Sequence, residues 1–335
     1  STVGAILAGL VPTLMIKDTL NTSMYLKVAI IFGILFGFAA VVTFIGTWEK
    51  VKPPVKTKLR DSFSEASSVL RSRSFKIFIG IYLSGQCAMD FVSGMAIYYV
   101  DDVLGGYDKG YLTMLMGVLL SSQLVGMLIF TPIMTRTSKR TTILIGAPIR
   151  LASTLGLLAF SYAGAPIVPV LLLSAGVGIG NAATLTSIFA ILADMADIDE
   201  LITSTRRPGI VSGMATFARK ISAGLSVWFI GILLSLVGYD AKLAHSGVSQ
   251  ALTTQRGIAM IFIVIPAILV VLLLIFGYIF PITNKEFDIV KKEIGRRCGT
   301  DNSTTTDDEK RILERVTGFK YEDLWNVSNE HKIRS

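Results

Sequence analysis

Charged side chains are concentrated between two apolar segments of the sequence, in residues 193–220. Three carboxylates there, Asp194, Asp197 and Glu200, recur every third residue, so a continuing helix presents them on one side. Arg206 follows after a short interval. Carboxylates and a guanidinium at this spacing can form ion pairs. Such pairs could close the mouth of a transport pathway and break when it opens, and we call this the gate hypothesis. The alternative is a solvated charged loop, the commoner role of such runs.

The most informative single residue is Lys220, in the apolar segment that begins near Ile210. In a helix it lies roughly 15 Å inside that segment, a depth at which charge is costly and usually functional. Thr216, one turn earlier, shares its face. The pair predicts a substrate-binding or cation-binding site in a water-filled cavity, and the alternative is a lysine that snorkels or pairs structurally. Arg219 lies about 100° further round the helix and is predicted to be structural.

Other polar residues interrupt the remaining apolar segments. Gln86 and Asp90 lie one helical turn apart, Arg150 lies within another segment, and Asn181 follows the glycines of residues 176–180. Ionisable groups in membrane segments face the interior of a helix bundle, so all four are candidates to line a cavity. Structural pairing remains equally open for each. The glycines predict close helix packing rather than a phosphate cradle.

The composition indicates a protein built within a membrane. Of 335 residues, 52% are hydrophobic and 17% charged, with a mean hydropathy of +0.61, which leaves too little polar surface for a soluble domain. The apolar residues form eight blocks, most of them near the roughly 20 residues that span a bilayer as a helix. We therefore predict an all-α polytopic membrane protein. The predicted spans are 3–16, 26–47, 75–100, 110–134, 142–162, 167–193, 210–237 and 257–280.

The distribution of Lys and Arg predicts the topology. Residues 48–74 and 135–141 are rich in basic side chains and the alternate connections are poor in them, so the basic loops are expected on the cytoplasmic side. The N-terminal edge and the C-terminal tail then face the cytoplasm as well. The predicted parts are 1–47 with two spans of an N-terminal bundle, a basic linker at 48–74, a six-helix bundle at 75–280 and a polar tail at 281–335. In the tail, residues 301–308 predict a flexible break between helices.

The sequence gives no support for an enzyme. It has no P-loop and no zinc-protease motif, and its only histidines are His245 and His331. We therefore predict no catalytic residues, no cofactor and no metal site within this chain. The net charge is +8, and the basic residues are concentrated in alternate loops. This distribution indicates membrane topology rather than nucleic-acid binding.

The charged stretch and the span after it resemble the glycoside–pentoside–hexuronide:cation symporters, the melibiose-carrier group of the major facilitator superfamily. The likeness rests on Ala193-Asp194-x-x-Asp197-x-x-Glu200-x-x-Thr203-x-x-Arg206-x-x-Gly209, on Thr216 with Lys220, on Tyr98-Tyr99-Val100 with Val103-Leu104-Gly105-Gly106, and on Gly238-Tyr239. It covers the membrane part as spans five to twelve of a twelve-span carrier. It implies symport of a sugar or glycoside with a monovalent cation, Na⁺, H⁺ or Li⁺, by alternating access through the cell membrane.

Matching positions imply roles for individual residues. Lys220 resembles the cation- and sugar-linked lysine of that family and Thr216 its nearby threonine. The carboxylates of the charged stretch, with Arg206, match its cytoplasmic gate. Ile198, Ser204, Pro208 and Leu185 depart from the family pattern, which bears on the particular sugar.

The family's cation-binding carboxylates lie on the first four spans, which this chain is expected to lack, so the chain is expected to be part of a longer symporter. Two alternative functions remain open on the sequence. One is a carrier of the same superfamily for another cargo, such as a lipid or drug. The other is a transport-inactive membrane sensor or scaffold.

Overall fold

The computed structural model describes residues 22–46, 67–106, 110–241, 243 and 249–325, and the described part is helical with no β-strand. The predicted span at 3–16, and most of the predicted linker at 48–74, lie outside these ranges. A π-helical turn occurs at Tyr99–Val103, and short 3₁₀ turns occur at Val69–Arg71, Leu157–Phe160 and Tyr321–Asp323. The helices are α1 (Thr22–Gly46), α2 (Arg73–Tyr98), α3 (Tyr111–Arg136), α4 (Lys139–Gly156), α5 (Ile167–Thr203), α6 (Pro208–Leu236), α7 (Leu252–Ile279), α8 (Asn284–Arg297) and α9 (Asp307–Thr317).

Helices α1 to α7 are each long and apolar enough to cross a membrane, which confirms the all-α polytopic prediction. The longest is α5, whose 37 residues correspond to about 55 Å, against roughly 30 Å of hydrocarbon in a bilayer. One end of α5 therefore extends beyond the apolar layer. That end carries the charged stretch singled out in the sequence.

Helices α2 to α7 form one bundle with an internal repeat. Helix α2 packs against α6 and α7, and α5 packs in the same way against α3 and α4. The two central helices, α2 and α5, touch each other, as do α4 and α7. Apart from the contact between α3 and α4, which α6 and α7 do not match, the pattern is unchanged when α2, α3 and α4 are exchanged for α5, α6 and α7. This is the signature of a three-helix repeat of the kind found in transporters. Helix α1 is exposed along nearly its whole length.

Glycines bring the helices of the bundle into close contact. A Cβ atom added at Gly146 would lie 2.2 Å from the Cβ of Ala183, and one at Gly180 would lie 2.7 Å from the carbonyl oxygen of Gly146. A Cβ at Gly178 would lie 2.4 Å from the carbonyl oxygen of Leu119. Side chains at these positions cannot be accommodated without moving backbone. The predicted packing role of the glycines in residues 176–180 is thus confirmed.

The C-terminal segment, residues 281–325, packs against the charged end of the bundle. Leu313 of α9 is fully buried, and the hydroxyl of Ser74 on α2 donates to the carbonyl of Val316. The backbone N–H of Trp325 donates to the carbonyls of Leu201 and Ile202, which the end of α5 leaves without a helical partner. The helix break predicted at 301–308 is present but shorter, because α9 begins at Asp307 with a capping box on Thr306.

A buried carboxylate organises this segment. Glu293 is only 1% exposed and accepts hydrogen bonds from Tyr321, Thr305, Arg296 and Arg297. Burial raises the pKa of Glu293, but the hydrogen bonds from these four side chains outweigh it and hold the pKa below its ordinary value of 4.5. The ionised form of Glu293 therefore stabilises the folded segment.

We expect Glu293→Gln to weaken the C-terminal segment by about 2–4 kcal/mol, because it leaves Arg297 without a carboxylate partner and Arg296 with Glu309 alone. Hydrogen exchange of the α8 and α9 amides, compared between the variant and the native protein, measures the effect. Since the folded pKa is lowered, the stabilisation is complete above pH 4.5 and is lost as the pH falls through the folded value. Equal exchange in both proteins at pH 7 would contradict the assigned role of Glu293.

Candidate functional site

One side of α6 carries the two residues that the sequence marks as a binding site. Pro208 at the first turn starts the helix, because its fixed φ suits that position. Lys220 and Thr216 are both exposed on the same face. Gly213 and Gly224 extend this face, and a Cβ added at either would meet nothing within 4 Å. Lys220 makes no hydrogen bond or ion pair with any residue that the structure describes. The ammonium is therefore available to a ligand or to a group outside the described residues.

Beside this face, Arg219 forms a two-point ion pair with Asp90 of α2. The guanidinium Nη1 and Nη2 atoms lie 2.8 and 2.7 Å from the two carboxylate oxygens of Asp90. Both side chains are less than a quarter exposed, at 22% and 23%. Gln86 lies one turn from Asp90 and is half-buried. The pair cancels its own charge, so Lys220 is the cation that α6 presents without a counter-charge among the described residues.

Arg150 is fully buried at the centre of the bundle. Its Nη1 atom donates to the carbonyl of Gly85 at 3.2 Å and to the side-chain oxygen of Asn181 at 2.9 Å. The Asn181 amide donates in turn to Gln123 at 2.8 Å, so the network joins α2, α3, α4 and α5. The other nitrogens of Arg150, Nε and Nη2, have no partner among the described residues. In this conformation Arg150 and Asn181 lie in the packed interior rather than on an open surface.

We expect Arg150→Met to leave the free energy of unfolding unchanged or to raise it by about 1 kcal/mol. The substitution removes a buried charge that has no carboxylate partner among the described residues, and apolar replacements of buried charge are often neutral or stabilising. Denaturant unfolding in detergent, followed by circular dichroism, provides the measurement. A loss of more than about 2 kcal/mol would contradict it, and would point to a counter-charge outside the described residues.

The carboxylates at the end of α5 separate into different ion pairs. Asp194 is 5% exposed and pairs with Lys139 at the start of α4. Asp197 and Glu200 share Arg206, at 3.3 and 3.8 Å, and this guanidinium is 68% exposed. The predicted single acidic face thus makes one buried contact within the bundle and one exposed contact across the α5–α6 connection.

A further pair in the same connection joins Arg207 to Asp199, a carboxylate that was not among the predicted gate residues. Arg207 donates to both oxygens of Asp199, from Nε at 3.0 Å and from Nη2 at 2.8 Å. It also reaches the hydroxyl of Ser68, ahead of α2, at 3.3 Å. Asp199 is 5% exposed. The signal for this pair was present, because Asp199 departs from the three-residue spacing of its neighbours and therefore faces another side of α5.

No group of three His, Cys, Asp or Glu side chains within the described ranges is placed to hold a metal ion. The one carboxylate beside the open face of α6, Asp90, is engaged by Arg219.

Comparison of the sequence with known protein families identifies the family of this chain. Residues 1–284 match the model of the family described as MFS/sugar transport protein, where MFS denotes the major facilitator superfamily. The chain belongs to this family. The family predicted from the charged stretch is thereby confirmed, and the protein is a multi-pass membrane protein with the helical architecture described above.

Three curated proteins with similar sequences are named as transport proteins. A "Glucuronide carrier protein homolog" of Escherichia coli (strain K12) is 29% identical over 211 residues, covering 62% of this chain and 43% of the relative. A "Putative sulfoquinovose importer" of Salmonella typhimurium (strain LT2) is 24% identical over 294 residues, covering 87% and 60%. An "Uncharacterized symporter" of Synechocystis is 21% identical over 267 residues, covering 79% and 48%. The chain thus matches about half the length of these relatives.

Proposed function

We propose that the protein is a secondary active transporter that moves a sugar or glycoside across the cell membrane together with a monovalent cation, Na⁺ or H⁺. Transport proceeds by alternating access, in which a central site opens to one side of the bilayer at a time. Membership of a sugar-transport family supports the class of activity. The observation that carries the site assignment is the unpaired Lys220 on an open helix face, beside a neutralised Asp90–Arg219 pair.

In this proposal Lys220 binds the substrate. Its ammonium has three donors and can bond sugar hydroxyls or an acidic group, while Thr216 on the same face supplies a hydroxyl that donates and accepts. The described groups at bilayer depth carry net positive charge, because Arg219 is balanced by Asp90 and Lys220 is balanced by nothing described. An anionic sugar fits this balance. Two relatives are named for glucuronide and sulfoquinovose, sugars with a carboxylate and a sulfonate, which supports the same class.

We propose further that the charged end of α5 is the cytoplasmic gate. The basic connections support a cytoplasmic position for this end, for the N-terminal edge of the chain and for the C-terminal segment. Asp194 holds α4 to α5 through Lys139, and Arg206 with Asp197 and Glu200 is the exposed set that can exchange partners as the gate opens. An exposed ion pair contributes little stability, so breaking it costs little.

Replacing Arg206, which is exposed, and Arg207, which is mostly buried, distinguishes a role in gating from a role in stability. We expect Arg206→Gln to change the uptake rate several-fold while leaving the thermal midpoint within about 1 °C, because an exposed pair contributes at most about 1 kcal/mol. The matched change Arg207→Gln is expected to lower the midpoint by several degrees, since it leaves the Asp199 carboxylate buried. If both variants lower the midpoint equally, Arg206 has no separate gating role.

Uptake into membrane vesicles tests the proposed activity. Vesicles bearing the full-length protein that its gene encodes are given a labelled glucuronide, a labelled sulfonated sugar and a labelled neutral glycoside, each with and without Na⁺. We expect cation-stimulated uptake, with the two anionic sugars preferred over the neutral one. No uptake of any of the three would favour a carrier of lipid or drug, or a sensor or scaffold without transport.

A further inference from the structure

Helix α6 presents two unlike faces, and only one of them belongs to the proposed sugar site. The second face forms a wall of an apolar groove of about 640 Å³. Leu225 and Phe229 on this wall lie about 140° and 180° round the helix from Lys220. The lining on α6 is therefore centred on the side away from Lys220, and its nearest edge, Phe217, lies about 60° from Lys220.

The groove lies at the junction of three helices. Helices α6 and α7 both pack on α2, and the groove runs between them with Ser84, Cys87 and Phe91 of α2 as its floor. Its lining on α6 extends from Met214 to Phe229, about 22 Å along the helix axis. The length, the apolar walls and the opening towards the outside of the bundle suit one extended acyl chain.

Three basic side chains, Arg71, Arg73 and Lys76, lie near one end of this groove. Leu70 lines that end, and Arg71 follows it directly. Arg73 and Lys76 lie at the start of α2, and Lys76 shares the helix face of Cys87, eleven residues further on. All three basic residues are exposed, and none bonds a carboxylate among the described residues. Guanidinium and ammonium groups at a membrane surface attract the phosphate of anionic lipids.

We propose that this groove is a binding site for an anionic phospholipid. One acyl chain lies between α6 and α7, and the phosphate contacts Arg71 and Lys76. The lipid would stabilise the position of α6 from the side away from Lys220, so occupancy influences the helix that carries the sugar site. The proposal does not depend on which substrate the protein carries.

Native mass spectrometry of the purified protein tests the site. The protein in mild detergent is titrated with phosphatidylglycerol and, separately, with phosphatidylcholine of the same acyl chains. We expect one tightly bound phospholipid, with phosphatidylglycerol preferred. Ser222→Phe, which fills the groove, is expected to abolish this binding, whereas the matched change Ser121→Phe on the exposed side of α3 is expected to retain it. An unchanged lipid count in Ser222→Phe would overturn the proposal.

A second variant, confined to the surface, tests the head-group contact without altering packing. We expect the double change Arg71→Gln with Lys76→Gln to lower the preference for phosphatidylglycerol roughly fivefold for each charge removed, the equivalent of about 1 kcal/mol. The control, Lys285→Gln with Lys320→Gln, removes two exposed charges elsewhere and is expected to leave the preference intact. Equal preference in both double variants would show that the basic end of the groove does not bind the head group.

Discussion

Lys220→Ala is expected to reduce cation-coupled sugar uptake by about 100-fold, because it removes the donor group that the open face of α6 offers to an acidic or hydroxylated substrate. The loss is expected in transport rather than in folding. Lys220 is exposed and makes no contact among the described residues that its removal would break. The thermal midpoint of the variant in detergent is therefore expected to equal that of the native protein.

Matched variants make this result specific. Lys320→Ala removes an exposed lysine of the C-terminal segment and is expected to leave uptake unchanged. Lys220→Arg retains the charge but replaces a compact ammonium by a planar fork, so partial activity is expected. Native uptake by Lys220→Ala, with normal coupling to the cation, would remove Lys220 from the site.

The ion pair between Asp90 and Arg219 is expected to contribute strongly to the stability of the bundle. Arg219→Gln alone leaves a partly buried carboxylate without its partner, and we expect it to lower the free energy of unfolding by about 2–4 kcal/mol. Asp90→Asn alone leaves the guanidinium uncompensated and is expected to have a similar effect. The double variant removes both charges, so its loss of stability is expected to be smaller than the sum of the two single losses.

A double-mutant cycle in denaturant measures this coupling. We expect a coupling energy of about 1–3 kcal/mol for Asp90 and Arg219. The pair of Lys310 and Asp307 on α9 serves as the control, because its two atoms are 3.0 Å apart but its side chains are more exposed, at 41% and 88%. No measurable coupling is expected there. Additive effects of Asp90→Asn and Arg219→Gln would contradict the two-point contact.

For the described residues, the sequence was sufficient to identify the membrane helices and to predict which side chains share a helix face. Long apolar blocks identify membrane helices because a bilayer leaves no other partner for the backbone of a single span. The period of the helix then places Thr216 with Lys220 on one face and Arg219 on another, as observed. The glycines of residues 176–180 likewise predicted close packing from residue type alone.

The choice of partner between helices could not be predicted in the same way. Helix phase shows which way Asp90 points but not that α6 is the neighbour on that side, so its pairing with Arg219 required the fold. The same holds for Asp194, whose partner Lys139 is 55 residues away along the chain. In the sequence, Lys139 was informative only about which side of the membrane its loop faces. The C-terminal segment was underestimated because its polar composition conceals the few apolar residues, such as Leu313, that it buries.

Accumulation of sugar against its own gradient tests the central claim most directly. The protein is reconstituted in liposomes, a labelled glucuronide is supplied at equal concentration on both sides, and an inward gradient of Na⁺ or of H⁺ is imposed. A cation-coupled carrier is predicted to raise the internal sugar above the external concentration, and an ionophore that collapses the gradient abolishes the rise. Equilibration without accumulation under either gradient would contradict coupled transport.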